Sequence, residues 1–156
     1  MSIAYTELTS RQDALKALLD AAGATLGRGL PSAPGVYLGP ARETPDGRHF
    51  GIFVARAGLP ELEYHMGVQT GEWTVEFEVA LQSYWPESVE KLETYCGYFA
   101  ANVLSVLLEN KQRTGTDGWH KGIVSSTDAI RFRRQGQESV YEIEVIPFRV
   151  TFEVTY

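Results

Sequence analysis

Residues 73–110 read WTVEFEVALQSYWPESVEKLETYCGYFAANVLSVLLEN, and two different periodicities in this stretch decide the fold. Over 73–84, large apolar side chains alternate with mostly polar ones, which predicts a strand with one buried face. From Val89 to Val106, apolar residues recur at steps of three and four, which predicts a helix over 87–109. Ser88 is placed to cap this helix through its hydroxyl group. A striped helix directly after such a strand favours a helix that covers the apolar face of a sheet.

The stretch FRVTFEVTY, residues 148–156, shows the same alternation. Its apolar positions alternate with arginine, threonine and glutamate, so it also predicts a strand with one buried face. An apolar strand without a neighbour is a template for aggregation. We therefore expect this strand to belong to the same sheet as 73–84 and to share a core with the long helix.

A leading helix precedes these elements. Thr9 and Gln12 have capping-box spacing, and the stripe of leucines and alanines after them predicts a helix over 9–22 that Gly23 ends. Residues 23–35 are rich in glycine and proline, which predicts a connector without regular structure.

The remaining segments predict strands separated by turns. TPDG at 44–47 predicts a turn, QGQ at 135–137 a hairpin turn, and Pro147 an interruption of the strand ladder. Further strands are predicted at 35–39, 48–57, 123–134 and 138–146. The whole chain, 1–156, is therefore predicted to form a single α+β domain, with an antiparallel sheet and two helices packed on one face.

Composition and charge restrict the class of protein. The chain has 20 acidic and 14 basic residues and a net charge of −6, which argues against a broad nucleic-acid-binding surface. Its one cysteine excludes an internal disulfide. The start, MSIAYTELTSRQD, lacks the features of a signal peptide, and no apolar run reaches the roughly 18 residues of a membrane span. We expect a protein of the cytoplasm, or of an assembly made there, with no membrane partner.

No arrangement of side chains predicts catalysis, a cofactor or a metal ion. The three histidines are far apart and lack metal-ligand spacing, so surface or loop positions are the favoured interpretation. Cys96 lies on the apolar stripe of the long helix, where we expect a buried, unreactive thiol. GTDGWHKG at 115–122 does not match a phosphate-binding loop. We therefore predict a protein that is not an enzyme and has no cofactor.

RFRR at 131–134 is a basic cluster with two interpretations. Arg131 and Arg133 would share one strand face, where a salt-bridge ladder to Glu142 and Glu144 would use them inside the sheet. The alternative is a hairpin that binds a partner. We favour the ladder and keep the hairpin among the candidate contacts.

Polar, glycine-bearing loops are the predicted sites of contact with other proteins, because binding residues concentrate on such excursions from a core. The loops are 40–48, 66–72 and 110–122, together with the 131–138 hairpin. The candidate contact residues are Arg42, Asp46, Arg48, Gln69, Lys111, Arg113, Asp117, Trp119, Lys121, Arg131, Arg133 and Arg134.

The chain resembles the tail terminator proteins of long-tailed, siphovirus-type bacteriophages. The resemblance lies in TSRQDALKALLDAAGATL as the leading helix, in WTVEFEVALQSY running into PESVEKLETYCGYFAANVLSVLLEN, and in the closing FRVTFEVTY. That family similarly opens with a helix, carries a strand into its central helix, and ends on an alternating strand rich in threonine and tyrosine.

The resemblance implies a structural protein of the virion tail or neck, assembled in the cytoplasm of the bacterial host. It implies a homo-oligomeric ring, commonly of six subunits, that closes the tail tube and joins it to the head-proximal connector. The implied partners are further copies of the chain, the tail tube protein and the head-completion or connector protein. DNA would pass through the lumen without specific binding, and an acidic subunit would favour this by repelling phosphates.

Three other hypotheses remain open at this point. The chain could be another neck or head–tail adaptor subunit of a phage, or a monomeric adaptor. It could also be a small α+β enzyme or ligand-binding domain, with a pocket between sheet and helices. Such a pocket would need polar residues on the apolar strand faces, and those faces are almost wholly apolar.

Overall fold

The computed structural model describes residues 3–57, 61–64, 71–85, 88–113, 119, 121–126, 130–135 and 140–155. The helices of this part are α1 (Ile3–Ala21), α2 (Gly23–Leu26) and α3 (Val89–Glu109). Its strands are β1 (Gly35–Leu38), β2 (Phe50–Arg56), β3 (Glu61–Tyr64), β4 (Gly71–Tyr84), β5 (Lys121–Ser126), β6 (Ile130–Gln135) and β7 (Val140–Thr155). These strands form one sheet, and its combination with the helices confirms the predicted α+β class.

Two long strands, β4 and β7, form the centre of the sheet. They pair antiparallel in one continuous register, from Glu72 opposite Thr155 to Tyr84 opposite Ile143. The closing stretch therefore joins the same sheet as 73–84, as predicted. Each flank of this pair carries two shorter strands end to end: β3 and β2 beside β4, and β5 and β6 beside β7.

The first strand lies outside β2 and is the exception to the antiparallel pattern. β1 pairs with β2 in parallel, from Gly35 opposite Gly51 to Leu38 opposite Val54. The turn at 44–47 was predicted to return the chain directly from one strand into the next. Instead, residues 39–49 carry the chain back so that β2 starts at the same end of the sheet as β1.

The core lies between the helices and one face of the sheet. Phe77, Val79 and Leu81 occupy alternate positions of β4 and are buried. Burying a side chain of this size contributes ~1.5–3 kcal/mol before conformational entropy is counted. The same cluster contains Leu15, Leu19, Leu26, Ile52, Val54, Phe99 and Val103. Because all three helices contribute to one cluster with one set of strand positions, they cover a single face of the sheet.

The opposite face of the sheet is only partly polar. Phe53 and Ala80 lie opposite each other on β2 and β4 and are buried in a second cluster with Tyr37, Ala41 and Tyr84. Ala80 is one of the positions of β4 that alternate with the core-facing Phe77, Val79 and Leu81, so it lies on this opposite face. The cluster that buries it combines strand residues Tyr37 and Tyr84 with Ala41, which comes from residues 39–49.

The first helix begins earlier than predicted. α1 starts at Ile3, so Thr9 lies inside the helix and does not cap it. The spacing of Thr9 and Gln12 also fits a helix interior, and the Gln12 amide instead donates to the carbonyl oxygen of Val54 at 3.0 Å. Gly23 does not end helical structure, because α2 occupies Gly23–Leu26 within the predicted connector.

The long helix ends where predicted and begins two residues after the predicted start, at Val89, with Ser88 as the predicted cap. α3 begins after Ser88, whose hydroxyl oxygen accepts a hydrogen bond from the Lys91 amide at 3.3 Å. The cap satisfies one of the amide groups that a helix N-terminus leaves without a partner. α3 ends at Glu109, as its apolar stripe indicates.

The strands on the β7 side differ from the prediction. The predicted strand 123–134 is two strands, β5 and β6, which pair with different halves of β7. The predicted strands 138–146 and 148–156 are one strand, because β7 continues through Pro147. On the other flank, β3 was not predicted, since four residues are too few to show a period.

Candidate protein–protein contact surfaces

Residues 39–49, here called the β1–β2 loop, include three of the predicted contact residues and are held by their own polar side chains. The hydroxyl group of Tyr37 donates to a carboxylate oxygen of Asp46, whose other oxygen lies 2.7 Å from Nε of Arg48. Arg48 also donates to the carbonyl oxygens of Ala33 and Pro34, at 3.3 and 3.1 Å. The loop therefore presents Asp46 and Arg48 in a fixed arrangement.

This arrangement shifts two ionisation equilibria. Burial of the hydroxyl group, and then its hydrogen bond to Asp46, raise the pKa of Tyr37 to about 12. The same hydrogen bond is the main cause that holds the pKa of Asp46 below its ordinary value, and Arg48 lowers it further. The loop is therefore fixed by a neutral tyrosine and an ionised carboxylate over the neutral pH range.

Arg42 is the exposed cation of the same loop. Its guanidinium group donates to the carbonyl oxygens of Leu38 and Pro40, at 2.9 and 3.0 Å, and lies 5.3 Å from the centre of the Phe53 ring. Among the described residues, no carboxylate lies within ion-pair distance of Arg42. Its positive charge therefore remains available to a partner.

Trp119 and Arg113, both predicted as contacts, instead serve the interior of the chain. Trp119 is 3% exposed, belongs to the main core, and donates through its indole nitrogen to the Asn110 carbonyl oxygen at 2.9 Å. Arg113 forms an isolated β-bridge with Trp119 and donates to the Ala14 carbonyl oxygen at 2.9 Å. Both residues thus fasten the chain after α3 to the core. Trp119 is withdrawn as a surface contact, because its side chain is almost wholly covered within one subunit.

Most of the remaining predicted contact residues lie just after α3 or on strands β5 and β6. Lys111 is exposed just after α3. Lys121 is the first residue of β5 and lies opposite Glu153. Arg131, Arg133 and Arg134 lie on β6, opposite Glu144, Glu142 and Tyr141 respectively. Gln69 and Asp117 lie outside the described residues.

The register of β6 and β7 gives the arrangement that a salt-bridge ladder requires. Arg131 and Arg133 each have a glutamate as the directly opposite residue on β7. Directly opposite residues in an antiparallel pair lie on the same face of the sheet, close enough for their side chains to interact. The ladder itself remains a prediction.

Cys96 and His49, one of the three histidines, both lie among packed side chains. Cys96 is buried in the helix stripe, and the His49 ring stacks on Tyr84 and meets the edge of Trp85, with ring centres 5.5 and 5.1 Å apart. Within the described ranges, no three histidine, cysteine, aspartate or glutamate side chains converge as metal ligands. None of the helices in that part has the length and apolarity to cross a membrane.

Sequence reasoning missed one exposed surface, the outer side of α3. Tyr98 and Leu108 are 51% and 43% exposed, and the only other large apolar side chain so exposed among the described residues is Leu38, at 40%. Gly97, Ala101 and Ser105 are exposed positions of the same helix. A signal for this surface exists in the sequence, since residues 94–108 contain no charged side chain.

Comparisons with known proteins were made at the level of sequence and of fold. No family model matches the chain, and no curated protein does. Among solved structures, the chain is similar to a component of the virion of a native gene transfer agent (GTA) particle. The two are 17% identical, the alignment covers 92% of this chain and 94% of that one, and the TM-score is 0.41.

Proposed function

We propose that this chain is a structural subunit of a phage-type virion, and that it forms a homo-oligomeric ring that closes the tail tube and joins it to the head-proximal connector. The observation that carries the proposal is the arrangement of the three segments on which the resemblance to tail terminators rests. The leading helix and α3 cover one face of the sheet, β4 leads into α3, and β7 lies along the whole of β4.

The packing between sheet and helices favours an assembly role over the alternative of a small enzyme or ligand-binding domain. This layer is filled by large apolar side chains, with Phe50, Phe77 and Phe99 fully buried. A ligand site there would need several convergent polar groups in place of these rings. Among the described residues, the buried side chains that are polar or charged are Arg11, Gln82 and Ser83, a small set beside the apolar core.

The charge of the chain fits a channel for DNA. Six copies would carry about −36, six times the −6 of one chain. A lumen with an acidic surplus would repel phosphate groups, so that DNA could pass without adhering. The tail tube protein and the connector protein would then bind the two ends of the ring through protein contacts alone.

Sedimentation equilibrium on the purified chain tests the proposal. The ring predicts a species of about six times 17.4 kDa, or a closed ring of another size, with a central channel in negative-stain images. A chain that stays monomeric at all concentrations, with and without isolated tail tubes, would contradict the proposal and favour the monomeric adaptor. Co-sedimentation with tubes distinguishes a terminator from another neck subunit, because only the terminator binds tube ends.

A further inference from the structure

β1 is the outermost strand on one side of the described sheet, and its register with β2 shows which backbone groups point outward. The Gly39 amide donates to the Val54 carbonyl oxygen at 2.8 Å, and Leu38 is the residue opposite Val54. In a parallel pair this pattern directs the odd-numbered residues of β1 at β2. It leaves Val36 and Leu38 with their N–H and C=O groups on the outer edge. A row of such groups is a template on which a strand of another chain can pair.

Two arginines of the β1–β2 loop occupy carbonyl groups at this edge. Arg42 donates to the outward carbonyl oxygen of Leu38 at 2.9 Å and to that of Pro40 at 3.0 Å. Arg48 donates to the carbonyl oxygen of Pro34, just before the strand, at 3.1 Å. Both arginines are exposed, so an incoming strand would have to displace a charged group at each end of β1.

Two prolines remove donors from the same edge. Pro34 and Pro40 flank β1 and have no N–H group. Between them, the outward groups without an arginine bond are the N–H groups of Val36 and Leu38 and the carbonyl group of Val36. Prolines and charged side chains are features with which natural proteins protect the edges of their sheets. The edge of β1 combines both.

Contacts within the chain hold the two arginines in place. Nε of Arg48 lies 2.7 Å from a carboxylate oxygen of Asp46, whose other oxygen accepts the hydrogen bond of the Tyr37 hydroxyl group. Arg42 lies 5.3 Å from the centre of the Phe53 ring. Because Tyr37 belongs to β1 itself, a chain of hydrogen bonds joins the strand to an arginine that covers its edge. The cover is therefore part of the folded chain and needs no partner.

We propose that Arg42 and Arg48, here called the edge arginines, prevent strands of other chains from pairing with β1. Pairing at an open strand edge is a route to aggregation. The edge arginines leave contacts between copies to other surfaces of the chain. This inference concerns the single chain and holds with or without the proposed ring.

Removal of the edge arginines tests the inference. Arg42→Ala with Arg48→Ala uncovers the edge, and Arg28→Ala with Lys91→Ala is the matched control, because it removes the same charge at two exposed positions elsewhere. In sedimentation velocity, the first variant should self-associate at a protein concentration about tenfold or more below that of the control. Its far-ultraviolet circular dichroism spectrum should remain that of the wild type. Equal association of the two folded variants would overturn the inference.

A third substitution shows whether the added association uses this edge. Leu38→Pro, made in the Arg42→Ala, Arg48→Ala chain, removes an outward N–H group of β1 without removing a bond to β2. The triple variant should therefore return to the association of the control. Association that persists in the triple variant would mean that the edge arginines act at another place, and would overturn the inference.

Hydrogen exchange on the wild-type chain provides a test without any substitution. The Val36 and Leu38 amides should exchange at the same rate, within about twofold, in dilute and in concentrated samples, because no strand pairs with them. Slowing of about tenfold or more in associated chains would show strand addition at β1 and overturn the inference. In a sample with the mass of the ring, that result would leave the proposed function intact. A wild-type chain that never associates would contradict the ring, and the substitutions above would then decide this inference by themselves.

Discussion

At the scale of single residues, the β1–β2 loop depends on Tyr37 and its two charged neighbours. The unfolded chain should release the Tyr37 proton near the ordinary value of 10.0, whereas the folded chain holds it to about 12. The raised pKa of Tyr37 therefore stabilises the folded chain fully below pH 10, and this stabilisation is lost as the pH rises through 12. Absorbance at 295 nm, recorded after rapid mixing to alkaline pH, should show a tyrosine step near 12 that Tyr37→Phe removes.

Asp46→Asn provides the control for this assignment. It removes the carboxylate that accepts the Tyr37 hydrogen bond and repels the phenolate. The absorbance step near pH 12 should therefore move down towards pH 10, while the number of titrating tyrosines stays the same. Because the pKa of Asp46 is lowered in the fold, its contribution to stability is present above the ordinary value of 3.8 and is lost as the pH falls below it. An absorbance step that stays near pH 12 in the Asp46→Asn variant would contradict the role of Asp46 in raising the pKa of Tyr37.

Trp119 gives the second prediction at this scale. Trp119→Ala should lower the free energy of unfolding by ~3–5 kcal/mol, because it leaves a cavity in the core and removes the donor to the Asn110 carbonyl oxygen. Urea unfolding measures the loss, and Trp119→Phe should be milder, since it keeps most of the apolar volume. A loss below about 1 kcal/mol for the alanine variant would return Trp119 to the candidate surface contacts.

The position of Trp119 also marks a limit of sequence reasoning. A tryptophan between glycine, aspartate, histidine and lysine has the local composition of a surface loop. Its burial depends on the bridge to Arg113 and on the Arg113 bond to Ala14, 99 residues away in sequence. No local pattern contains a contact at such a separation. The single-residue predictions therefore succeed where a helix or strand sets the environment, as for Ser88 and Cys96.

At the scale of elements, β7 shows how a strand can pass through a proline. The Tyr84 amide donates to the His49 carbonyl oxygen at 2.9 Å, so even-numbered β4 residues bond towards β2. Pro147 lies opposite Ala80 and therefore directs its nitrogen away from β4. On that side β5 ends at Ser126, opposite Phe148, and β6 begins at Ile130, opposite Val145, so neither strand as described pairs with Pro147. The missing N–H group therefore costs no hydrogen bond to β4 or to the described parts of β5 and β6.

This geometry predicts different effects of two substitutions in one strand. Pro147→Ala should change the free energy of unfolding by less than about 1 kcal/mol, because no ladder bond is gained. Val150→Pro should lower it by at least ~2 kcal/mol, because Val150 lies opposite Phe77 in a hydrogen-bonded pair and its N–H group would be lost. Urea unfolding of both variants provides the measurement. Equal losses would mean that the junction between β5 and β6 does not lie at Pro147.

The elements also show which patterns can be read from sequence. Alternation in β4 and the stripe of α3 each extend over many residues, so their faces and their packing follow directly from the sequence. The division of 123–134 into β5 and β6 is not visible, because IVSSTDAIRFRR contains no glycine or proline to mark a turn between two strands. The parallel pairing of β1 with β2 depends on the path of residues 39–49, and a turn signal such as TPDG does not specify the strand that follows it.

At the scale of the whole molecule, the two-layer design follows from sequence while the assembly surfaces do not. A helix stripe and a strand face must be buried against something, and one sheet covered by helices is the simplest solution. An assembly surface leaves a weaker signal, because nothing within the single chain has to cover it. The effect of the net charge is also hard to predict from sequence, because it depends on which residues an assembly would bring together.

The final prediction therefore concerns charge in the proposed ring. Arg131→Glu with Arg133→Glu would place like charges opposite Glu144 and Glu142, and would change the charge of each chain from −6 to about −10. One exposed pair contributes only ~0–1 kcal/mol, so both arginines are replaced together. We expect weaker association at low salt, with recovery at high salt as ions screen the repulsion.

Arg28→Glu with Arg56→Glu adds the same charge at two exposed positions elsewhere and should weaken association less. Sedimentation of both variants at two salt concentrations decides between local pairing and total charge. Equal weakening would mean that total charge alone acts, and no weakening of the first variant would mean that the arginines of β6 have no role in holding the sheet or the ring.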